Sequence, residues 1–349
     1  MRVVVVGATG NVGTSLVGAL ARDSEVDSVL GLARRLPALQ VPKVEWATAD
    51  VAVDELAPHF RGADAVVHLA WAIQPSRDRN LLWRINVSGS DRVFQAVADA
   101  GVPALVYASS VGAYSPGPKD RFVEESWPTH GIPTSFYGRH KAEVERRLDR
   151  FEQEHPKVRT VRLRPGLIFK REAASGIRRL FAGPFFPSPL ARRGFVGFVP
   201  AIPGLRFQAV HSLDVGEAYR LAVKSNVRGA FNIAAEPVLD PPELARIFGA
   251  RPVPVPRGVA RAAAALSWRL RLQPTPEGWL DMGLEVPLLD TTRAKTELGW
   301  VPAHGADEAL LELFDGLRER AGLDTPPLSP ATGGRLRVRE LTTRIGGKP

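Results

Sequence analysis

The sequence predicts an α/β protein: a doubly wound parallel sheet with a smaller C-terminal α/β lobe. Three observations lead there. Residues Arg2–Val6 form a continuous β-branched run, as a strand buried on both faces of a parallel sheet requires. A glycine-rich turn, Gly7-Ala8-Thr9-Gly10-Asn11-Val12-Gly13, follows at once and opens into helical spacing over 12–21. Short apolar runs then alternate with helical stretches through the first half, and that alternation implies right-handed crossovers.

The remaining elements follow in order. Strands are expected at 28–32, 44–47, 65–69, 104–108 and 158–163, and helices at 53–60, 80–100 and 135–155. Beyond residue 170 the alternation stops, because 170–210 is crowded with Pro, Gly and Phe. Helical spacing returns at 214–223, 241–248 and 307–320, with a strand at 230–233. The expected organisation is a dinucleotide-binding unit over 1–170, with sheet elements returning near 207–235. A substrate lobe over 171–324 packs on the carboxyl ends of the strands, where open α/β sheets bind ligands. A tail over 325–349 follows, in which 336–341 alternates as a strand does.

Composition narrows the chemistry. The chain has 349 residues, 44% hydrophobic and 24% charged, which fits a folded rather than a disordered protein. It has no cysteine, which excludes disulfides, thiolate metal sites and a cysteine nucleophile. Its seven histidines show neither HxH nor HExxH spacing, so no catalytic metal is expected. His68, within a strand, reads as a core histidine. No apolar run reaches the roughly 18 residues of a membrane span, and the four valines after Met1-Arg2 fall short of the ~7–15 of a secretory signal. A cytoplasmic protein without membrane contact is the expectation. The net charge of +9 is carried mainly by arginine. Its pairs (Arg34-Arg35, Arg146-Arg147, Arg178-Arg179, Arg192-Arg193) are scattered, so no nucleic-acid partner is expected.

The glycines at 7, 10 and 13 carry the first functional signal. They permit a tight turn, let the backbone approach a pyrophosphate, and leave the helix N–H groups aimed at the anion. Gly7, Thr9, Gly10, Asn11, Val12 and Gly13 are therefore expected to hold a dinucleotide. The second strand should end in a carboxylate if the ligand is NAD, to accept from the ribose 2′-hydroxyl. It ends instead in Ala33-Arg34-Arg35, two guanidiniums suited to a 2′-phosphate, so NADP is preferred over NAD.

Tyr137 and Lys141 lie four residues apart and share one face of a helix. The ammonium is expected to lower the phenol's pKa from about 10 toward the working pH, so that Tyr137 exchanges a proton with a substrate oxygen as hydride moves. Val106-Tyr107-Ala108-Ser109-Ser110 brings two hydroxyls to a strand's carboxyl end. There Ser110 is expected to bond the reacting oxygen, and Ala108 and Ser109 to line the cofactor. His140 points off this face by roughly 100°.

These residues resemble the extended short-chain dehydrogenase/reductases, the NAD-dependent epimerase/dehydratase family. The likeness runs from residue 3 to about 302. Besides the turn, Ser110, Tyr137 and Lys141, it takes in Asp50-Val51, Val67-His68-Leu69-Ala70, Asn86-Val87-Ser88-Gly89, Arg164-Pro165-Gly166, His211-Ser212-Leu213-Asp214 and Leu298-Gly299-Trp300-Val301-Pro302. The resemblance implies that Asp50 and Val51 contact adenine and that Leu69, Ala70 and Trp71 line the way to the nicotinamide ribose. It implies that Tyr137 and Lys141 bond that ribose, and that Pro165, Gly166, Leu167 and Ile168 flank the nicotinamide. Asn86 supports the lysine in this pattern, and a homodimer through helices 80–100 and 135–155 is a family expectation. Two features depart from the sugar-nucleotide members: Arg206 is out of register with the diphosphate-clamping arginine, and Trp71 replaces a small residue. Residues 181–207 are instead expected to roof an apolar pocket.

Three readings stay open. The first is an oxidoreductase or epimerase moving hydride at a hydroxyl or carbonyl carbon of a small molecule. The second is a nucleotide-sugar epimerase or dehydratase with tightly held NAD. The third is a non-catalytic dinucleotide sensor or scaffold.

Overall fold

The computed structural model describes residues 1–73, 77–183 and 196–333. In chain order its strands are β1 (Arg2–Val6), β2 (Ser28–Ala33), β3 (Val44–Thr48), β4 (Ala65–His68), β5 (Ala104–Ala108), β6 (Phe122–Val123), β7 (Arg159–Pro165), β8 (Leu167–Phe169), β9 (Phe198–Ala201), β10 (Ala209–His211), β11 (Gly229–Ile233), β12 (Arg251–Pro254) and β13 (Leu288–Leu289). Seven of them form one sheet in the order β11-β7-β5-β4-β1-β2-β3, with every pairing parallel. The chain runs outward from β1 to β3, then restarts beside β1 with β4. The bend between those directions is the topological switch point, where such sheets hold ligands. Three parallel pairs lie outside it: β8 with β10, β9 with β12, and β6 with β13.

The helices are α1 (Asn11–Arg22), α2 (Ala57–Phe60), α3 (Arg79–Trp83), α4 (Gly89–Asp99), α5 (Phe136–Glu154), α6 (Ala174–Ile177), α7 (Ser212–Lys224), α8 (Pro241–Phe248), α9 (Arg257–Arg269), α10 (Gly278–Glu285), α11 (Thr292–Thr296) and α12 (Ala306–Glu319). The sheet is buried on both faces, so the valines of β1 divide by parity. Val3 and Val5 join a core with Leu16, Leu20, Val215 and Tyr219 of α1 and α7. Val4 and Val6 join another with Val93, Val97, Val144 and Leu148 of α4 and α5. Each side chain so buried contributes about 1.5–3 kcal/mol relative to exposure.

Three expected elements differ. The helix expected over 53–60 is only Ala57–Phe60, because Pro58 is tolerated only in a helix's first turn. Residues 50–54 form a turn instead, in which Asp54 N donates to Asp50 O at 3.0 Å and the Asp54 carboxylate accepts from Asp50 N at 2.8 Å. The expected helix over 80–100 is split into α3 and α4 by a π-helical turn, Arg84–Ser88. The start of the expected tail packs against the body: Thr325 and Leu328 are buried, and just before it Asp324 O accepts from Ala38 N at 3.1 Å. The strand expected at 336–341 lies outside the described residues, as does the 184–195 segment of the expected pocket roof.

Candidate functional site

The turn after β1 is built for close approach. Gly7 has φ +88°, and a Cβ there would lie 2.6 Å from Ala70 N. A Cβ on Gly13 would lie 2.5 Å from Gly7 O, so only glycine lets α1 begin against the turn. No side chain caps α1 and its first turn carries no acid, so its N-terminal N–H groups are left for an anion. Asn11 donates to Ile168 O at 3.2 Å, while its buried Oδ1 is unpaired. That bond ties the start of α1 to β8, placing Gly166, Leu167 and Ile168 beside it, one residue past Pro165 at the end of β7. Glycine cradle and uncapped helix together fit a dinucleotide pyrophosphate. Thr9 is buried, and Val12 half-buried, in the same turn.

The neighbouring strand ends converge on this edge. Arg34 and Arg35 follow β2 and are exposed. Asp50 follows β3 and caps its own turn through Ala52 N at 2.9 Å, and Val51 beside it is buried. Leu69, Ala70 and Trp71 follow β4. Asn86, brought inward by the π-helical turn, is 1% exposed and bonds Ala72 twice, N–H to Oδ1 and Nδ2 to O, each 2.7 Å. Its amide therefore holds the loop after β4.

Ser110, Tyr137 and Lys141 meet. Ser110 follows β5, and its Oγ accepts from Gly112 N at 3.0 Å. The Tyr137 ring packs on Gly112, where a Cβ would come within 2.9 Å of it, and the Ser110 hydroxyl is the side-chain neighbour that favours ionisation of the phenol. Lys141, one turn along α5, is buried and donates to Ala108 O at 2.6 Å. Its ammonium lies 3.5 Å from the Trp71 ring centre and 5.9 Å from that of Tyr137.

The electrostatics differ from the sequence expectation. Burial pushes the Tyr137 phenol up to about 12, with the neighbouring Ser110 hydroxyl opposing. The lysine that was expected to depress it is itself pushed well below its ordinary value by burial, with Glu145 opposing. The amine is spent on Ala108 O and the indole face, so desolvation wins and Tyr137 is a protonated phenol at neutral pH.

Sequence reasoning missed several neighbours. Glu145, the next residue in the Tyr137–Lys141 register, sits between Arg162 and Arg164 of β7 and accepts from Ser109. The i+4 spacing was the available signal. Trp279 of α10 packs against Tyr137 at 4.9 Å between ring centres, with Phe181 edge-on to it at 4.9 Å. These contacts join residues far apart in the chain and leave no local pattern. Arg206 donates to Lys119 O and lies 3.9 Å from the Asp240 carboxylate. His68 bonds Ser90 at 2.9 Å inside the core, and His140 packs between Trp83 and Phe136. Among the described residues no histidine–carboxylate group is arranged to hold a metal ion, and no helix is long and apolar enough to cross a membrane.

A parallel Rossmann-type sheet with a glycine cradle at its switch point defines a dinucleotide-binding protein. Residues 3–176 match the NAD dependent epimerase/dehydratase family, and the chain belongs to that family. An uncharacterized protein of Mycobacterium tuberculosis is 28% identical over 329 residues, which cover 93% of this chain. The chain spans only 31% of that relative's length. The L-arabinose 1-dehydrogenase (NAD(P)(+)) of Haloferax volcanii is 34% identical over 110 residues, 31% of this chain and 41% of that enzyme. Among solved structures, the Thermus thermophilus UDP-glucose 4-epimerase in complex with NAD superposes with a TM-score of 0.65 at 25% identity, covering 91% of this chain and 99% of that one.

Proposed function

We propose that this chain is an NAD(P)-dependent oxidoreductase or epimerase working at a hydroxyl or carbonyl carbon of a small molecule, with Ser110, Tyr137 and Lys141 as its acid–base site. The observation that carries this reading is the Tyr137 ring packed on Gly112 beside Ser110 at the end of β5, with the Lys141 ammonium 5.9 Å from its centre and one helical turn away. The cradle at Gly7–Gly13 would hold the pyrophosphate, and Leu69 to Trp71 with Pro165 to Ile168 would flank the nicotinamide. Bound there, the cofactor supplies the hydride donor or acceptor. Tyr137 holds its proton at neutral pH and is suited to give it to a substrate carbonyl oxygen, with Ser110 orienting that oxygen within about 3 Å. The exposed Arg34 and Arg35 beyond Ala33 favour NADP over NAD.

Trp71, Trp279 and Phe181 around Tyr137 favour an apolar or aromatic substrate body. Arg206, turned toward Lys119 and Asp240, speaks against a diphosphate clamp at that position. The second reading, a nucleotide-sugar epimerase, is favoured by the likeness to the Thermus enzyme over nearly the whole of that chain. A panel of ketones, alcohols and nucleotide sugars, followed by nicotinamide absorbance and by product analysis for redox-neutral turnover, separates the two. Tyr137→Phe should leave dinucleotide affinity within about threefold and cut turnover by about 10²–10⁴-fold. Unaltered turnover removes Tyr137 from the chemistry.

A further inference from the structure

Lys170 follows β8 and is 4% exposed, yet it belongs to none of the groups described above. Its ammonium donates to Asn11 O at 2.9 Å, Thr14 Oγ1 at 2.7 Å and Ser15 Oγ at 3.1 Å. All three acceptors lie within the first five residues of α1, and none is charged. The polar cluster is otherwise satisfied without it. Ser15 Oγ bonds Ser212 Oγ at 2.9 Å, Ser212 Oγ donates to Asn11 O at 3.1 Å, and Thr14 Oγ1 donates to Gly10 O at 3.0 Å. The charged groups nearby are engaged elsewhere: Arg171 with Glu319, His211 with Glu312, Asp214 with His304. Among the described residues Glu172 acts on Lys170 from a distance, and burial pulls the amine down to about 8.

Among the described residues, a buried cation is therefore held against the positive end of a helix dipole without a carboxylate in contact. Helix N-termini favour anions and disfavour cations, and an uncompensated buried charge is costly. An anion at the Gly7–Gly13 turn offsets both unfavourable terms, because it attracts the ammonium and the helix end alike. We propose that Lys170 is the buried countercharge of that turn: it raises the affinity for a diphosphate group through the first turn of α1, without contacting the ligand. This rests on reading the turn as the dinucleotide cradle. The ligand class is a pyrophosphate diester, and uncharged nucleosides should not feel the lysine.

The test is calorimetric titration of full-length wild type, Lys170→Met and Lys170→Gln with NAD, NADP, inorganic pyrophosphate and adenosine, alongside ligand-free melting curves. In both variants NAD, NADP and pyrophosphate should bind about tenfold or more weaker, adenosine within about twofold of wild type, and ligand-free melting should be unchanged or raised. Three results overturn the proposal: unchanged NAD affinity in the variants, equal losses for NAD and adenosine, or failure of both variants to fold, which would make Lys170 a stabilising strut of the ligand-free chain. If Lys170→Met alone fails to fold, Lys170→Gln decides. Wild type binding neither dinucleotide overturns the cradle reading itself. Normal binding by both variants removes only the role given to the lysine.

Discussion

Glu145→Gln tests the energetics on which the site stands. The Glu145 side chain is 1% exposed, and those of Arg162 and Arg164 are 6% exposed. The carboxylate accepts from Arg164 Nε at 2.9 Å and Nη2 at 2.8 Å, from Arg162 Nη1 at 2.8 Å, and from the Ser109 hydroxyl. Burial alone would raise this carboxyl, but the two guanidiniums outweigh it and hold it at about 2. Glutamine keeps the shape and removes the charge. Breaking one partner of a buried ion pair costs about 3–5 kcal/mol. The lower end applies, because Arg162 retains Asp149 and Glu152, and Arg164 retains Tyr114 Oη and Glu125 O. Unfolding entropy of about 2.1 cal/mol/K per residue over this chain makes 3 kcal/mol equivalent to about 4 °C in Tm. A depressed carboxyl contributes its full stability above the unfolded value near 4.5 and loses it as pH falls toward 2. Urea titrations at pH 7 and pH 3 should therefore show the variant's deficit shrinking in acid. A pH 7 deficit under about 1 kcal/mol, or one that does not shrink, refutes the assignment. Glu145→Leu combined with Arg164→Met should recover most of the loss.

Other expectations are more local. Gly13→Ala must push a methyl against Gly7 O and Ala8, so thermal unfolding should show a loss of about 1–3 kcal/mol, with weakened dinucleotide binding by titration. Arg34→Ala with Arg35→Ala should weaken NADP by about tenfold or more and NAD little; equal losses would end the 2′-phosphate assignment. His68 is held down to about 3, chiefly by burial and also by the charge of Lys141. The neutral ring is favoured by folding, so this contribution is full above pH 6.5 and lost as pH falls toward 3. His68→Gln should flatten the pH 4–6.5 limb of a stability profile.

What the sequence disclosed and what it hid divide along physical lines. β1, β5 and the Gly7–Gly13 turn were legible because their signals are local: a valine run, an apolar run, three glycines. Tyr137 and Lys141 were legible because i,i+4 spacing fixes a shared helical face. The interruption at Arg84–Ser88 was not, since a π-helical turn leaves the apolar pattern nearly intact. α9 and α10 were missed as well. The buried face of α10 is short, and α9 carries an alanine-rich stretch with no fully buried side chain. The state of Tyr137 was misjudged because sequence shows the amine four residues away. It does not show that the amine is occupied by Ala108 O and Trp71.

The return of the chain to its own sheet limits how the protein can be divided. β11 seals the far edge of β7, and Arg159 clasps the carbonyls of Ala222 and Val223 at the end of α7. Gly216 lies so near Ser15 that a methyl would come within 2.9 Å of the α1 backbone. A fragment stopping at residue 176, where the match to the family ends, would bare an open strand edge and strip the cover from α1. Such a truncation is a recipe for aggregation rather than a minimal nucleotide-binding unit.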